Sequence, residues 1–333
     1  MILAGDVGGT NTRLGLFELD QDRPTPVTIQ IFPSGQHQSL EQIVEEFIKQ
    51  HSHQVTGACV GIAGPIKDGV CETPNLPWIA DSRKLAALLG VERVELINDL
   101  EANAHGISVL SKEDLVMLHP GRPDPNGNAG LISAGTGLGE AGLHWVDEYY
   151  QPFASEGGHV DFAPRNELEI ELLKYLLKSI DHVSYERVLS GPGLHNIYKF
   201  LVETGRGDEP AWLRDELQQK NPSAVISKAA LECRAPVCEQ ALDIFVSIYG
   251  AETGNLALKV LATGGIFIGG GIAPKILPKL KGSAFIEAFW AKGRMTELLK
   301  GVPIHVIVND KTALLGAARV AFFGIRMSRW ANW

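Results

Sequence analysis

Three glycine turns and four acid or base side chains are the parts of this 333-residue chain best suited to chemistry. The turns are Asp6-Val7-Gly8-Gly9-Thr10-Asn11, Gly135-Thr136-Gly137-Leu138-Gly139 and Gly269-Gly270-Gly271, each following an apolar run. Main-chain N–H groups in such turns approach phosphate closely because no Cβ stands in the way. One of them alone would be an ordinary hairpin turn. Three, each at the end of a strand-like run, point to a phosphorylated ligand. A Walker A loop is excluded, because no Gly-Lys dipeptide occurs anywhere in the chain. The 269–271 run lacks the spacing of a dinucleotide fingerprint. Phosphoryl transfer asks for phosphates and a metal held in place, and for a nucleophile deprotonated as it attacks. Asp99 follows an apolar run and precedes a helix, where a carboxylate serves either as a cap or as a general base. Glu156 and His159 bracket Gly157-Gly158 as a compact polar clamp; Glu186, on an amphipathic stretch, reads by itself as a surface charge.

The elements that must carry these groups are legible from periodicity. Residues 2–5, 14–19 and 27–31 read as an antiparallel meander, with Val27, Ile29 and Ile31 alternating with polar residues. Ser39 and Gln42 suit a capping box for a helix with Leu40, Ile43, Val44, Phe47 and Ile48 on one face. Strands at 58–63 and 94–97 flank a helix capped by Asp81, and the alternation implies parallel pairing. Residues 130–144 then repeat the opening strand–glycine turn–strand, which suggests an internal duplication. Helices over 167–177, 193–202 and 236–261 follow, then strands over 262–268 and 304–308, and a helix over 311–322 that packs back on the first domain. The tail from 325 to 333 has no functional reading.

Composition narrows the class. A formal charge of −9 argues against a nucleic-acid partner, which needs a basic face. The start of the chain has neither a basic segment nor a long apolar core, and the apolar stretch 260–273 is broken by glycines, so neither a signal peptide nor a membrane partner is expected. A cytoplasmic location follows. The four cysteines form no C-x-x-C pair, and His51 and His53 read as solvated surface histidines.

Taken together the motifs resemble a known family. Asp6-Val7-Gly8-Gly9-Thr10-Asn11-x-Arg13, Gly135 to Gly139, and Thr263-Gly264-Gly265 to Gly271 resemble the two phosphate motifs and the adenosine motif of the sugar kinase, heat-shock ATPase and actin superfamily. Ile97 to Leu100, Ser155 to Phe162 and Tyr185 to Gly191 are similar to segments of bacterial glucokinases. No cysteine-rich segment follows His159, unlike the ROK (repressor, open-reading-frame, kinase) family, so no structural zinc is expected.

The resemblance implies an α/β, actin-like (ribonuclease H-like) duplicated two-domain fold with an interdomain cleft. The small domain would comprise 1–109 plus 300–333 and the large domain 110–299. It implies ATP and Mg²⁺ as cofactors and D-glucose as the acceptor, phosphorylated at its 6-hydroxyl with Asp99 as base. Asn75, Asn98, Asp99, Glu156, His159 and Glu186 would bind the sugar. Asp6, Gly8, Gly9, Thr10, Asn11, Gly135, Thr136, Gly137, Gly264, Gly265 and Gly270 would bind the nucleotide, with Asp6 reaching Mg²⁺ through water. A homodimer is implied as well. A kinase for fructose, mannose or an N-acetylated amino sugar stays open, as does a non-catalytic sugar sensor. An ATP-driven chaperone or filament protein is disfavoured, since Glu156, His159 and Glu186 would have no role there.

Overall fold

The first strand, β1 (Ile2–Val7), buries side chains on both of its faces, as a strand at the centre of a covered sheet must. The computed structural model describes residues 1–20, 23–51, 53–73, 76–146 and 149–330. The chain forms two compact units, Met1–Lys112 with Asn309–Trp333, and Glu113–Val308.

In the first unit β2 (Asn11–Asp20) and β3 (Arg23–Pro33) complete the expected meander with β1. After α1 (Leu40–Gln50), β4 (Gly57–Ile62) pairs parallel to β1. A small antiparallel sheet then intervenes, made of β5 (Ile66–Lys67), β6 (Val70–Glu72) and β7 (Ile79–Asp81). These strands carry too few residues to show a period, so they are not legible from alternation. Next come α2 (Ser82–Leu89), β8 (Val94–Asn98) and α3 (Asp99–Ile107). The main sheet runs β3-β2-β1-β4-β8. Leu3, Val7, Leu14 and Leu16 pack on Leu40, Ile43, Val44 and Phe47 of α1 at one face. Ser39 caps α1 as expected, its Oγ accepting from Gln42 N at 3.3 Å, and Asp81 caps α2.

The second unit repeats this plan. It opens with β9 (Leu115–His119), then β10 (Ala129–Ala134), β11 (Leu138–Val146) and β12 (Tyr149–Ser155) as a second antiparallel meander. Helices α4 (Glu167–Leu176), α5 (Gly191–Glu203), α6 (Ala211–Gln219), α7 (Pro222–Leu231) and α8 (Pro236–Lys259) follow. β13 (Gly265–Gly269) pairs parallel to β10. After the short helices α9 (Leu277–Leu280), α10 (Ser283–Trp290) and α11 (Thr296–Lys300), β14 (Ile304–Ile307) pairs parallel to β13. The order β12-β11-β10-β13-β14-β9 matches that of the first sheet strand for strand, with β9 added at the edge. β14 thus belongs to the second unit's sheet, and the chain returns to the first unit only at Asn309.

It returns as α12 (Thr312–Trp330), which buries Ala313, Leu314, Ala317, Ala318 and Ala321 against Ile2, Ala4, Phe17 and Ala102. The contact with α3 is backbone-close: a Cβ on Gly316 would come within 1.8 Å of Ala102 O, and one on Gly106 within 2.2 Å of Thr312 O.

Candidate active site

In the first unit, β1, β4 and β8 end in register, Val7 beside Ile62 and Ile62 beside Asn98. Ligands of parallel α/β sheets bind at such carboxyl ends. Asp6 and Asp99 are therefore brought to one edge, close enough that the charge of Asp99 bears on Asp6. The sequence offered Asp99 as a helix cap. The structure gives that task to Asn98, whose Oδ1 accepts from Leu100 N at 2.9 Å while its Nδ2 reaches Gly64 O at 3.4 Å. Asp99 is the first helical residue; its Oδ1 shares the Leu100 N–H at 2.9 Å, which leaves Oδ2 uncommitted to that bond. Burial raises its carboxyl above the ordinary value, with the Leu100 N–H pulling the other way. Burial also raises Asp6, and outweighs the guanidinium of Arg13. Arg13 itself bridges Asp6 at 3.3 Å and Asp310 at 2.9 Å.

The turn after β1 spans Gly8, Gly9, Thr10 and Asn11, and Gly8 N donates to Asn11 O at 3.0 Å. Gly9, Thr10 and Asn11 are exposed. Ser34 locks this turn from below: its Oγ donates to Gly8 O at 2.7 Å and its N–H to Thr10 O at 2.9 Å. Ser34 lies beyond a whole hairpin in sequence, so local reading had no means of finding it. Asn75 lies outside the described residues.

The second unit's turn is tighter. Ala134 pairs with Leu138, leaving Gly135, Thr136 and Gly137 to make the bend, closed by Gly135 N to Gly137 O at 2.8 Å. Gly191 N at the start of α5 donates to Gly135 O at 2.8 Å. Glu186 meets the same turn. Its Oε2 accepts from Leu138 N at 3.0 Å, and a Cβ on Gly137 would come within 2.5 Å of it. The resemblance placed Glu186 with the sugar residues; the structure joins its carboxylate to the 135–138 turn. Beside the turn opens a cavity of about 910 Å³, walled by Gly135, Thr136, Gly271, the start of α5 and one side of α7 along its length. The starts of α5 and α7 border that space, and the positive dipole end of a helix start favours an anion. His195 and Lys275 in its wall went unnoticed in the sequence, because they come from separate elements.

Gly264 and Gly265 do not join this cavity. They stand at the start of β13, whereas Gly270 and Gly271 follow its end, and a parallel sheet uses only the latter edge. Their role is packing: a Cβ on Gly264 would meet Gly127 O at 2.4 Å, and Gly265 adopts φ +135°, which only glycine tolerates well. Gly270, at φ +82°, passes within 2.3 Å of Ala134 O by the same measure.

Glu156 and His159 stand exposed on one side of a buried Gly157-Gly158 bend, their side chains 3.8 Å apart. Backbone bonds tie this segment to the next: Tyr185 N donates to Val160 O and Phe162 N to Val183 O, both at 3.0 Å. Beneath the bend lies Glu140, buried and facing Glu252; burial first, then the charge of Glu252, push its carboxyl up to about 8. Among the described residues no cluster of three or more His, Cys, Asp or Glu side chains could hold a metal ion, and no helix is long and apolar enough to cross a membrane.

Two sheets of one topology, each ending in a glycine turn, define a duplicated actin-like α/β fold, the class that includes the ROK sugar kinases. The ROK family glucokinase from Streptomyces griseus shares it with a TM-score of 0.64 at 19% identity, over 97% of this chain and 99% of that one. Within the class, the glucokinase family model matches residues 3–322, and the chain belongs to that family. Glucokinase from Nostoc punctiforme is 44% identical over 96% of this chain and 98% of its own. The crystal structure of glucokinase from an Antarctic psychrotroph superposes with a TM-score of 0.86 at 32% identity, covering 97% and 98% of the two chains.

Proposed function

We propose that this protein is an ATP-dependent glucokinase that transfers the γ-phosphoryl group of ATP to the 6-hydroxyl of D-glucose, with Asp99 as general base. The observation that carries the reading is Asp99 itself: half-buried at a strand end, with one oxygen spent on the main chain, and with its carboxyl raised toward the range where a base is effective. A sugar sensor would gain nothing from a carboxylate so placed, and family membership argues the same way. Asn98, Glu156, His159 and Glu186 hold the sugar hydroxyls, to which carboxylates offer charge-assisted hydrogen bonds. In the first unit the turn Gly8, Gly9, Thr10 and Asn11 is a phosphate-binding turn; in the second unit Gly135, Thr136 and Gly137 form another, and the cavity beside Gly271 takes the nucleoside.

Mg²⁺ would arrive with the nucleotide. The donor set, one carboxylate (Asp6) beside one exposed hydroxyl (Thr10), suits a hydrated ion carried by phosphates rather than a resident metal. When bound, it would neutralise charge developing on the transferred group. A cytoplasmic location and a homodimer belong to the same reading. The four free cysteines, three of them buried, suit a reducing compartment, and the dimer is checked by light scattering.

The test is a coupled assay of ADP release with Mg²⁺ and ATP across a hexose panel, wild type beside Asp99→Ala. Glucose-selective turnover that collapses in the variant supports the whole reading. Turnover with another hexose alone corrects the substrate, and sugar-independent hydrolysis overturns it.

A further inference from the structure

Glu140 on β11 lies opposite Ser155 of β12, directly under the Glu156–His159 bend. It is 1% exposed, and its carboxyl presses on the bend: a Cβ on Gly157 would come within 2.2 Å of Glu140 Oε2. Among the described residues neither of its oxygens has a hydrogen-bond partner. Facing it on α8 is Glu252, fully buried but well supplied. Lys259 Nζ donates to its Oε1 at 2.9 Å, and Asn255 Nδ2 to its Oε2 at 2.7 Å. Asn255 Nδ2 also lies 3.0 Å from the hydroxyl of Tyr185, the residue before Glu186, and its Oδ1 accepts from Lys292.

Two carboxyl groups face to face in a dry interior do not both ionise. Glu252 already has a cation and an amide to hold its charge. The proton therefore belongs on Glu140, where the O–H donates to the Glu252 carboxylate and ends the lack of a partner. The cluster touches both segments that carry sugar-binding candidates: Gly157 rests on Glu140, and Tyr185 reaches Glu252 through Asn255.

We infer that Glu140 is a positioning residue for the hexose: as a neutral acid bonded to Glu252, it braces the 156–159 bend against the 185–186 turn, so that Glu156, His159 and Glu186 meet the sugar together. Loss of that proton puts two like charges beneath Gly157 and loosens the bend. The groups facing Glu140 are Glu252, Lys259 and Tyr249 from α8 and Tyr185 from the 185–187 turn. Lys292 and the Arg165–Glu169 pair bear on the same cluster from outside, and burial lowers Lys292 to about 8. Lys292 thus titrates in the same range as Glu140, and a test must separate the two. The inference rests on the reading that Glu156, His159 and Glu186 bind the sugar.

The experiment is steady-state kinetics on the full-length enzyme from neutral to alkaline pH, for wild type, Glu140→Gln, Glu140→Ala and, as a control on the sugar site, Glu156→Ala. In wild type the glucose KM is expected to rise about tenfold as Glu140 ionises, the loss of one charge-assisted contact, while the ATP KM stays level. Glu140→Gln keeps an N–H donor for Glu252 and carries no titratable proton, so its glucose KM is low at neutral pH and flat above it. Glu140→Ala shows a raised glucose KM already at neutral pH, with kcat nearly unchanged. An alkaline rise that persists in Glu140→Gln belongs to Lys292 and overturns the inference. So does a glucose KM in Glu140→Ala equal to that of wild type. Thermal melts report folding; if Glu140→Ala does not fold, the pH profile of Glu140→Gln decides alone. If Glu156→Ala leaves glucose KM unchanged, the sugar-site reading fails and the inference with it. If Glu156→Ala raises KM and neither Glu140 variant departs from wild type, only the inference fails.

Discussion

The hairpin β1–β2 and the hairpin β10–β11 occupy the same place in two sheets of the same strand order, yet they hold their glycine turns by different means. The first turn is fastened from its own unit's third strand end by a single serine, Ser34, and the strand ends around it carry carboxylates, Asp6 and Asp99. The second is fastened by a helix start, Gly191, and by Glu186, and opens on a cavity lined by the hydroxyls of Thr136, Ser223 and Ser227 and by Lys228 and Lys275. Duplication supplied two loop platforms at equivalent strand ends. Divergence made one acidic, fit for a base and a hydrated cation, and the other rich in donors, fit for a nucleotide.

The largest effect expected from breaking this division of labour is at Asp99. Asp99→Asn keeps the helix, since Asn98 caps it, and should lower kcat by roughly 10²- to 10⁴-fold with little change in ATP binding. An ATP dissociation constant that moved as much as kcat would show the base and the cradle to be one entity. The same residue sets a pH dependence. Activity should fall as pH drops through a pKa above the ordinary aspartate value, because burial has raised it. A raised acid binds more protons folded than unfolded. Its contribution to stability is therefore greatest in acid and is lost as pH rises from the ordinary value through the folded one.

Next in size is the α3–α12 contact, which belongs to the first unit alone. Gly316→Ala sets a methyl group against Ala102 O and should cost about 1–3 kcal/mol or more of stability by overpacking, read as a lowered Tm. The smallest effect sharpens the comparison at the turns themselves. Ser34→Ala leaves Gly8 O without its donor and should cost about 1–3 kcal/mol locally, raising the ATP KM several-fold while glucose KM holds. Ser190→Ala removes the cap of α5, whose hydroxyl accepts from Gly193 N at 3.0 Å, and should act on the second turn in the same way. Equal responses in the two variants would mean that both turns bear on the nucleotide alike.

Much of this was legible in the linear chain. The meander, the parallel crossovers, the duplication and the glycine turns follow from alternation, helical faces and the steric freedom of glycine, all of which are local. Ser39 and Asp81 were readable as caps because a cap acts within one helical turn. The cap of α3 went to Asn98 rather than Asp99, a shift of one residue that frees the carboxylate for chemistry. Gly264 and Gly265 misled, since a glycine pair before a strand and one after it look alike until parallel pairing shows which edge is which. Short strands such as β5, β6 and β7 left no periodic trace.

The sequence by itself determined the longer strands and helices, because these rest on contacts between near neighbours in the chain, and its motifs, through their resemblance to a family, named the duplicated plan and the candidate base. Only the tertiary structure decided that Ser34 would lock Gly8, that Glu186 would bond Leu138, and that Glu140 would meet Glu252 in the dark beneath Gly157. Those pairs join residues far apart in sequence. The physical forces that fix them, burial of charge and close approach of backbone, exist only once the sheets and helices have packed.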